Sequence, residues 1–338
     1  MIFQNRKGLT EEGNSYKGNL HSHTVNSDGR LTPEEAVSLY RSRGYSFLCF
    51  SEHDRYTDLR SRFDSGDFII LPGLEASADL LDPAHVGKRL KTHHMHGILG
   101  TERMQAQAAC LFRNGETLKP PVYTGQWDGL QAAQGVCDRL RAHGCVVTYN
   151  HPLWSRVEPQ EFADLHGVLA LEIYNYNTVN ESGTGYDTAC WDLILRRGRQ
   201  IYAFASDDNH NGGRFEDSCG GWVVVRAAEL THEAVIQALL SGNFYCSSGP
   251  EIYGWEIRDD RAIVHCSPCE RINIIAGGDV NAGATFIAPT KAGICHTEYP
   301  LHEDETYVRA ECTDYNGKTA WSNAIFLRKE QGMRESAE

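Results

Sequence analysis

The stretch that decides the fold of this chain reads Asn19-Leu20-His21-Ser22-His23-Thr24-Val25-Asn26-Ser27-Asp28-Gly29. It begins as a strand, and side chains two apart on a strand point to the same face, so His21 and His23 present two imidazoles side by side. Paired imidazoles indicate a metal site, although a lone pair of this kind also arises by chance or from core histidines. What the other strands carry decides between these interpretations.

Buried apolar runs alternate with helical patterns over most of the chain. Helical periodicity and capping signals predict helices over 32–43, 128–143, 186–197 and 231–240. Short apolar runs predict strands over 45–50, 68–71, 91–100, 145–150, 168–174, 201–206 and 222–226. This alternation favours parallel strands, either closed into a barrel or open and doubly wound. The segment 101–124 mixes helix formers with a turn signal and is expected to be irregular.

Candidate metal ligands follow the predicted strands. The residues placed at or just after a strand end are His21, His23, His53, Glu75, His151, Asp208 and His210. In α/β barrels the carboxyl ends of the strands converge on the face that carries the active site, and scattered core histidines would not show this placement. The strand over 91–100 adds His94 and His96 on one face and His93 on the other.

Three acids, Asp28, Glu75 and Asp208, stand among these histidines. Hard and borderline divalent ions take mixed carboxylate and imidazole shells, and a carboxylate can bridge two ions. The set holds too many ligands for one ion, whereas two or three ions about 3.5 to 4 Å apart would use them and supply a hydroxide. Because no thiolate belongs to the set, Mn, Fe or Zn is expected rather than Cu. Each residue taken singly can also be interpreted as core or surface.

Composition excludes several classes of protein. A formal charge of −13 repels a phosphodiester backbone, so no stable nucleic-acid partner is expected. No window approaches the roughly 20 apolar residues of a membrane span, and no membrane partner is expected. The first residues lack the apolar region of a secretory signal, and the 11 cysteines are an odd number, which favours reduced thiols and a cytoplasmic location.

The character of the sequence changes after Pro250. From 251 to 327, short β-type runs are separated by Gly, Asp and Asn turns, with little helical periodicity. This predicts a large domain over 1–249, a small β-sandwich over 250–330 and a polar tail over 331–338. The Cys-x-x-Cys at Cys266 and Cys269 is weak for zinc without a second pair and suits a turn between strands.

The motifs together resemble the PHP (polymerase and histidinol phosphatase) metallohydrolases. In the family's order they are His-Ser-His with Asp-Gly at 21–29, Glu-His-Asp at 52–54, Gly-Leu-Glu at 73–75, Asn-His-Pro at 150–152 and Asp-Asn-His at 208–210. The segments 191–198 and 242–250 and the pair Asp207-Asp208 look like the branch that includes carbaryl-type ester hydrolases. The resemblance implies a distorted (β/α)7 PHP barrel with a centre of two or three divalent ions.

The resemblance also implies which residues hold each ion. One ion is held by His21, His23, Glu75 and Asp208. Glu75 bridges to a second ion, held by His151 and a histidine of the 93–96 cluster, where strand parity leaves both His94 and His96 open. Asp28, His53 and His210 hold a third. The chain departs from many relatives, which have Thr-Asp-His where Ser51-Glu52-His53 stands.

The function expected from these features is metal-dependent hydrolysis of phosphate esters. The substrate would be a small phosphorylated molecule or a short nucleotide. Glu75, His53 and His210 are expected to serve catalysis as well as metal binding, and Arg55 and Arg214 are the cations placed to clamp an anion. Two alternatives stay open: an enzyme for carboxyl or carbamate esters, and a non-catalytic metal-binding scaffold. The sequence leaves the oligomeric state open.

Overall fold

The computed structural model of the chain describes residues 2–10 and 12–328. Contacts divide the described residues into two compact units, one over Glu12–Ser248 and one that joins residues 2–10 to residues 249–328. The division at 248 lies one residue from the predicted boundary. The first residues, predicted to belong to the large domain, group with the second unit instead. The predicted tail over 331–338 lies outside the described residues.

The strands and helices are defined here in chain order. The strands are β1 (Arg6–Leu9), β2 (Asn14–Asn19), β3 (Phe47–Phe50), β4 (Ile69–Leu81), β5 (Arg89–Leu99), β6 (Val122–Thr124), β7 (Cys145–Tyr149), β8 (Val168–Asn175), β9 (Tyr202–Ser206), β10 (Trp222–Ala227), β11 (Phe244–Ser247), β12 (Ile252–Arg258), β13 (Arg261–Cys269), β14 (Arg271–Gly277), β15 (Ala284–Ile287), β16 (Ile294–Pro300), β17 (Tyr307–Thr313), β18 (Thr319–Ser322) and β19 (Ile325–Phe326). The helices are α1 (Pro33–Ser42), α2 (Arg60–Phe63), α3 (Glu102–Gln107), α4 (Gly129–Ala142), α5 (Tyr176–Ser182), α6 (Thr188–Arg196) and α7 (His232–Ser241), with a short 3₁₀ turn at Pro159–Glu161.

The unit over Glu12–Ser248 is built on one large mixed sheet. Its strand order is β11-β10-β2-β3-β4-β5-β7-β8-β9, with β6 beside β4. The runs β2-β3-β4 and β7-β8-β9 are parallel, but β5 is antiparallel to both its neighbours. The prediction of parallel strands is therefore correct only in part. Within the described residues no ladder joins β9 to β11, so the structure establishes a mixed α/β unit rather than a closed seven-stranded barrel.

The reversal at β5 follows from its short connection to β4, because residues 82–88 are too few for the crossover that a parallel pair requires. The apolar run over 68–71 predicts a short strand, whereas β4 continues for 13 residues and pairs with β5 along most of its length.

Other elements differ from the predictions in detail. The segment over 101–124, predicted to be irregular, contains α3 and β6. The elements α5 and β11 have no counterpart among the predicted helices and strands. The predicted helix over 32–43 is confirmed as α1. Thr32 and Glu35 form its capping box, and Tyr40 is buried on the inner face.

The second unit holds two antiparallel sheets. One has the order β1-β12-β13-β16, and the other contains β15-β14-β17-β18 with β19 beside β17. The sequence predicts a turn at Cys266 and Cys269, but both residues lie within β13. The strand continues through an irregularity before Cys269. Both thiols are buried and hydrogen-bond with Cys312 of β17. No helix in the described part of the chain combines the length and apolarity needed to span a bilayer.

The contact between β2 and β3 allows a test of the packing. Gly18 pairs with Phe47, and a Cβ on Gly18 would lie 2.0 Å from the Phe47 ring. Because Phe47 is fully buried, the ring has no free space to enter, and Gly18→Ala should lower the free energy of unfolding by about 1–3 kcal/mol. Urea denaturation followed by circular dichroism measures the change.

The matched control is Gly135→Ala. Gly135 lies inside α4, and nothing lies within 4 Å of the position of its Cβ. Alanine should therefore raise the free energy of unfolding, by up to about 1 kcal/mol, because it favours the helix. Equal stability of Gly18→Ala and the wild type would show that the ring can shift without cost.

Candidate metal centre

The large sheet delivers the predicted ligands to one place. His21 and His23 follow β2, His53 follows β3, His151 follows β7, and Asp208 and His210 follow β9. Glu75 is an exception to the predicted pattern, because it lies in the middle of β4 rather than at a strand end. It reaches the site because β4 runs past the ends of β2 and β3 while its side chain points toward them.

Donor atoms of these residues form four overlapping groups within the described part of the chain. In each group all the donor atoms lie within 4.8 Å of one another. The groups are His21, His23, Glu75 and Asp208; His23, Asp28, His53 and His210; His53, Glu75 and His94; and His21, His151 and Glu172. Every group shares a residue with another, so the donors form one continuous cluster.

Glu75 lies at the centre of this cluster. Its Oε1 lies 3.2 Å from His21 Nε2, 3.2 Å from His151 Nε2 and 3.3 Å from His94 Nδ1, and its Oε2 lies 3.2 Å from His53 Nδ1. Two ligands about 2.0 Å from one tetrahedral ion are about 3.3 Å apart, so these separations match ligands of common ions. The two oxygens face different histidines, as a bridging carboxylate requires.

Asp208 provides the second point of convergence. One of its oxygens lies 3.0 Å from His21 Nε2 and 3.0 Å from His23 Nε2. Asp28, on the loop after His23, lies farther out, with its carboxylate oxygens 3.3 Å from His210 Nε2 and 3.6 Å from His53 Nε2. The cluster therefore extends from a buried end at Asp208 to a half-exposed end at Asp28.

Many of these atoms are buried without a hydrogen-bond partner among the described residues. They include His21 Nε2, both ring nitrogens of His23 and His94, Glu75 Oε2 and Asp208 Oδ1. His21 Nε2 lies 3.0 Å from Asp208 but lacks hydrogen-bond geometry. Each unpaired buried polar atom costs about 1–3 kcal/mol. Donors that point at shared positions rather than at one another are what metal binding requires, so the residues fit a group of divalent ions.

The structure separates the three histidines of β5. His94 joins the group with His53 and Glu75. His96 lies in none of the four groups: its Nδ1 is 3.1 Å from the hydroxyl of Thr148, and its ring packs edge-on against His21. His93, on the opposite face, shares a 2.5 Å hydrogen bond with Tyr149. Of the two predicted ligands on this strand, the geometry brings His94 to the cluster and leaves His96 beneath it.

Glu172 belongs to the cluster although the sequence analysis did not select it. Its carboxylate lies 2.9 Å from His21 Nδ1, accepts the backbone N–H of His151 at 3.0 Å, and accepts hydrogen bonds from Asn175 and Ser206. A carboxylate on the far nitrogen of a ligating histidine fixes the ring and its tautomer. A charged residue inside the apolar run of β8 was the available signal.

Asn150 and Glu52 support the cluster from other sides. Asn150 donates to Glu75 Oε1 at 2.8 Å. Glu52 is fully buried and accepts the backbone N–H of Thr24 at 3.1 Å and the hydroxyl of Ser27 at 2.5 Å. Because Ser27 precedes Asp28, Glu52 holds the loop that carries Asp28.

Charge pairing shifts the pKa values of the cluster in opposite directions. Burial opposes ionisation of Glu75 and Asp208, but the surrounding histidines hold both pKa values well below the usual range. Burial also opposes protonation of His21, yet Asp208, Glu75 and Glu172 raise its pKa well above the usual value. At the open end, Asp28 and Asp208 outweigh burial and raise the pKa of His210 to about 9.

Three residues of the site have backbone conformations that L-amino acids rarely adopt. The φ angles of Asp54, His151 and Asp208 are 51°, 26° and 55°. Each costs on the order of 1–3 kcal/mol and persists only where the surroundings hold it. Two of the three are predicted ligands, so the strain lies where side-chain direction matters for the cluster.

The cluster opens into a cavity of about 580 Å³. Arg214 lines this cavity, as predicted, and so does Arg89, which the sequence analysis did not select because nothing distinguishes it from other exposed arginines. Arg55 does not line it; Arg55 is exposed, and its backbone pairs with Thr117. The other lining residues are Ser27, Asp28, His53, Asp54, Glu75, Ser77, Asp79, His94, His151, Trp154, Asn177, Glu181, Asp208, His210, Gly212, Phe215 and Asp217.

Asp187 allows a test of the turn that carries His151. Its carboxylate accepts the backbone N–H of Leu153 at 3.2 Å, and burial raises its pKa to about 7, from 3.8. The folded chain therefore holds this proton more tightly than the unfolded chain, and stability falls as pH rises between these values. Asp187→Asn keeps the acceptor and cannot ionise. As pH rises from about 5 to about 7.5, the free energy of unfolding of the variant minus that of the wild type should increase by on the order of 2 kcal/mol, measured by urea denaturation. A pH-independent difference would contradict the buried, protonated carboxyl.

Glu75→Gln tests the centre of the cluster directly. The substitution keeps the volume but removes the charge that faces five histidines, so metal affinity should fall at least about 100-fold while the fold persists. Elemental analysis after reconstitution and dialysis measures the bound metal. Glu305→Gln is the control, because Glu305 is a buried carboxylate of the second unit and belongs to none of the four groups. Full metal content in Glu75→Gln would remove Glu75 from the centre.

Comparisons with known proteins give structural likenesses at low sequence identity. No protein-family model matches the chain, and no curated protein matches it. A two-domain protein from Bacteroides vulgatus containing a predicted PHP-like metal-dependent phosphoesterase is 13% identical, with 98% of each chain covered and a TM-score of 0.43. An inferred metal-dependent phosphoesterase from Bifidobacterium adolescentis is 14% identical over 68% of this chain and 98% of that one, with a TM-score of 0.38.

A third similar structure is an amidohydrolase from Chromobacterium violaceum with bound sulfate and no metal. It is 18% identical over 58% of this chain and 88% of that one, with a TM-score of 0.37. All three TM-scores are below 0.5, so evidence for function has to come from the geometry of this chain's own residues. Two predicted metal-dependent phosphoesterases, one of them described as PHP-like, are thus among the solved structures similar to this chain, and a cluster of histidines and carboxylates stands at the residues through which the sequence resembles the PHP family.

Proposed function

We propose that the chain is a metal-dependent phosphoesterase that acts on a small phosphorylated molecule at a centre of two or three divalent ions. The observation that carries the proposal is the cluster itself: buried donors without partners, joined through Glu75, at the floor of an open cavity. A scaffold that only stores metal does not need an opening of this size beside the ligands.

Two of the four groups, together with the contacts of Glu75, suggest which residues would hold each ion. His21, His23, Glu75 and Asp208 would hold one ion. Glu75, His94 and His151 would hold a second, because both imidazoles lie against the same Glu75 oxygen. Asp28, His53 and His210 would hold a third at the open end. Nitrogen and oxygen donors without a thiolate favour Mn, Fe or Zn.

Charge favours phosphate over a neutral ester. Seven carboxylates and two guanidinium groups line the cavity, so without cations it would repel a phosphate. Divalent ions, when bound, reverse that field, neutralise charge on phosphoryl oxygens and lower the pKa of water. Arg214 would then bind the remaining oxygens of the phosphate, which a guanidinium can contact bidentately. Arg89 also lines the cavity but is already paired with Asp79 at 3.2 Å, so Arg214 is the cation assigned to the phosphate. A neutral carboxyl ester has no use for such a cation.

Inorganic phosphate provides the test. Protein reconstituted with Mn²⁺, Fe²⁺ or Zn²⁺ should hydrolyse p-nitrophenyl phosphate, and phosphate should inhibit competitively. Arg214→Ala should raise the inhibition constant of phosphate about tenfold to a hundredfold, the value of a charged hydrogen bond. Arg55→Ala is the matched control: Arg55 is an exposed arginine outside the cavity lining, and its loss should leave phosphate inhibition intact.

Three results would contradict parts of the proposal. Turnover of p-nitrophenyl acetate or a carbamate, with none of any phosphate ester, would make the chain a carboxyl or carbamate ester hydrolase. Tight metal binding with no turnover of any ester would make it a scaffold. Phosphate binding that survives removal of the ions by a chelator would show that the carboxylates do not control access to the cavity.

A further inference from the structure

Trp154 lines the cavity beside two ligands of the proposed second ion. It follows His151 by three residues, and its ring centroid lies 5.1 Å from that of His151 and 5.8 Å from that of His94. Both histidines are ligands of the proposed second ion. The indole is half-buried and lines the cavity. A phosphate ester bound at the cluster would therefore have this ring within reach of its ester group.

The indole is held in place from two sides. Its Nε1–H donates to Glu181 of α5 at 2.8 Å. The turn beneath it is fixed by the Ser155 N–H, which donates to the His151 carbonyl at 3.1 Å, and by the Leu153 N–H, which donates to Asp187. A ring that is fixed before a ligand arrives loses little conformational entropy on binding, which favours its use as a contact surface.

The rest of the cavity makes this ring distinctive. Among its lining residues, Trp154 and Phe215 carry the carbocyclic aromatic rings, and nearly all the others are charged or polar. Polar walls can bind hydroxyl-rich groups in many places. A flat ring in the ligand gains most from an aromatic face, by about 0.5–1.5 kcal/mol beyond its buried area.

We infer that Trp154 is a specificity-determining residue that stacks on the leaving group, so that the substrates are phosphate esters of alcohols carrying a flat aromatic ring. This inference rests on the proposed function. Glu181 acts through Trp154 as a positioning residue, because its carboxylate sets the direction of the indole. Nucleosides and simple aromatic alcohols share this chemistry.

A pair of esters matched in size tests the inference. Benzyl phosphate and cyclohexylmethyl phosphate both release aliphatic alcohols of similar volume and differ in the flatness of the ring. The metal-loaded wild type should favour benzyl phosphate in kcat/KM by roughly threefold to tenfold. In Trp154→Leu the ratio should fall to about one, and in Trp154→Phe, which keeps an aromatic ring, most of the preference should remain.

Glu181 supplies a second comparison. Glu181→Gln retains an oxygen that accepts from the indole and should keep the preference, whereas Glu181→Ala should reduce it. Equal preferences in these two variants would remove Glu181 from the positioning role. A wild-type ratio near one, or a preference that persists in Trp154→Leu at unchanged metal content, would overturn the inference.

Binding of non-hydrolysable analogues separates this inference from the proposed function. 2-Phenylethylphosphonate should bind the metal-loaded protein more tightly than 2-cyclohexylethylphosphonate, measured by calorimetry, and the difference should disappear in Trp154→Leu. Selective phosphonate binding without turnover of any phosphate ester would reject the proposed phosphoesterase activity and retain the aromatic specificity of Trp154. Equal binding of the two phosphonates would reject that specificity, whatever the enzyme hydrolyses.

Discussion

Buried negative charge is the constraint on which this site depends. Glu75 is fully excluded from solvent and Asp208 nearly so. A carboxylate in such a place is very unfavourable unless opposite charge surrounds it. The imidazoles can supply that charge as protonated rings, and divalent ions can supply more of it. The same arrangement therefore explains the low pKa values of the acids, the raised pKa of His21 and the suitability of the cluster for cations.

The surrounding structure serves this cluster at a cost to stability. Glu172, Asn150 and Glu52 direct ligands rather than fill a core, and each is buried with its hydrogen bonds committed to the site. His151 and Asp208 adopt left-handed backbone conformations, which cost free energy and persist only where the surrounding structure holds them. Such groups are destabilising by themselves, so the apolar packing of α1 on β3 and β4 has to offset them.

Local signals in the sequence were enough for much of the fold and most of the cluster. Capping residues and apolar runs predict α1, α4 and the buried strands because these depend on neighbours in sequence. The reversal at β5 depends on pairing between distant residues, which no local pattern encodes. Histidine spacing predicts His21, His23, His53, His151 and His210 because strand ends converge. Choosing between His94 and His96, or between Arg55 and Arg89, requires knowing where a strand ends and which way a loop turns.

The grouping of the first residues with the C-terminal unit has a consequence for biosynthesis. In β1, Arg6 pairs with Ile257 of β12, so one sheet joins segments that are about 250 residues apart. The whole unit over Glu12–Ser248, which carries the candidate metal centre, is inserted between them. During translation β1 emerges first but has no partner strand until the ribosome has produced β12, and until then it remains an unpaired strand edge. The unit over Glu12–Ser248 can complete its core earlier, so chain connectivity makes the C-terminal unit the later of the two to assemble.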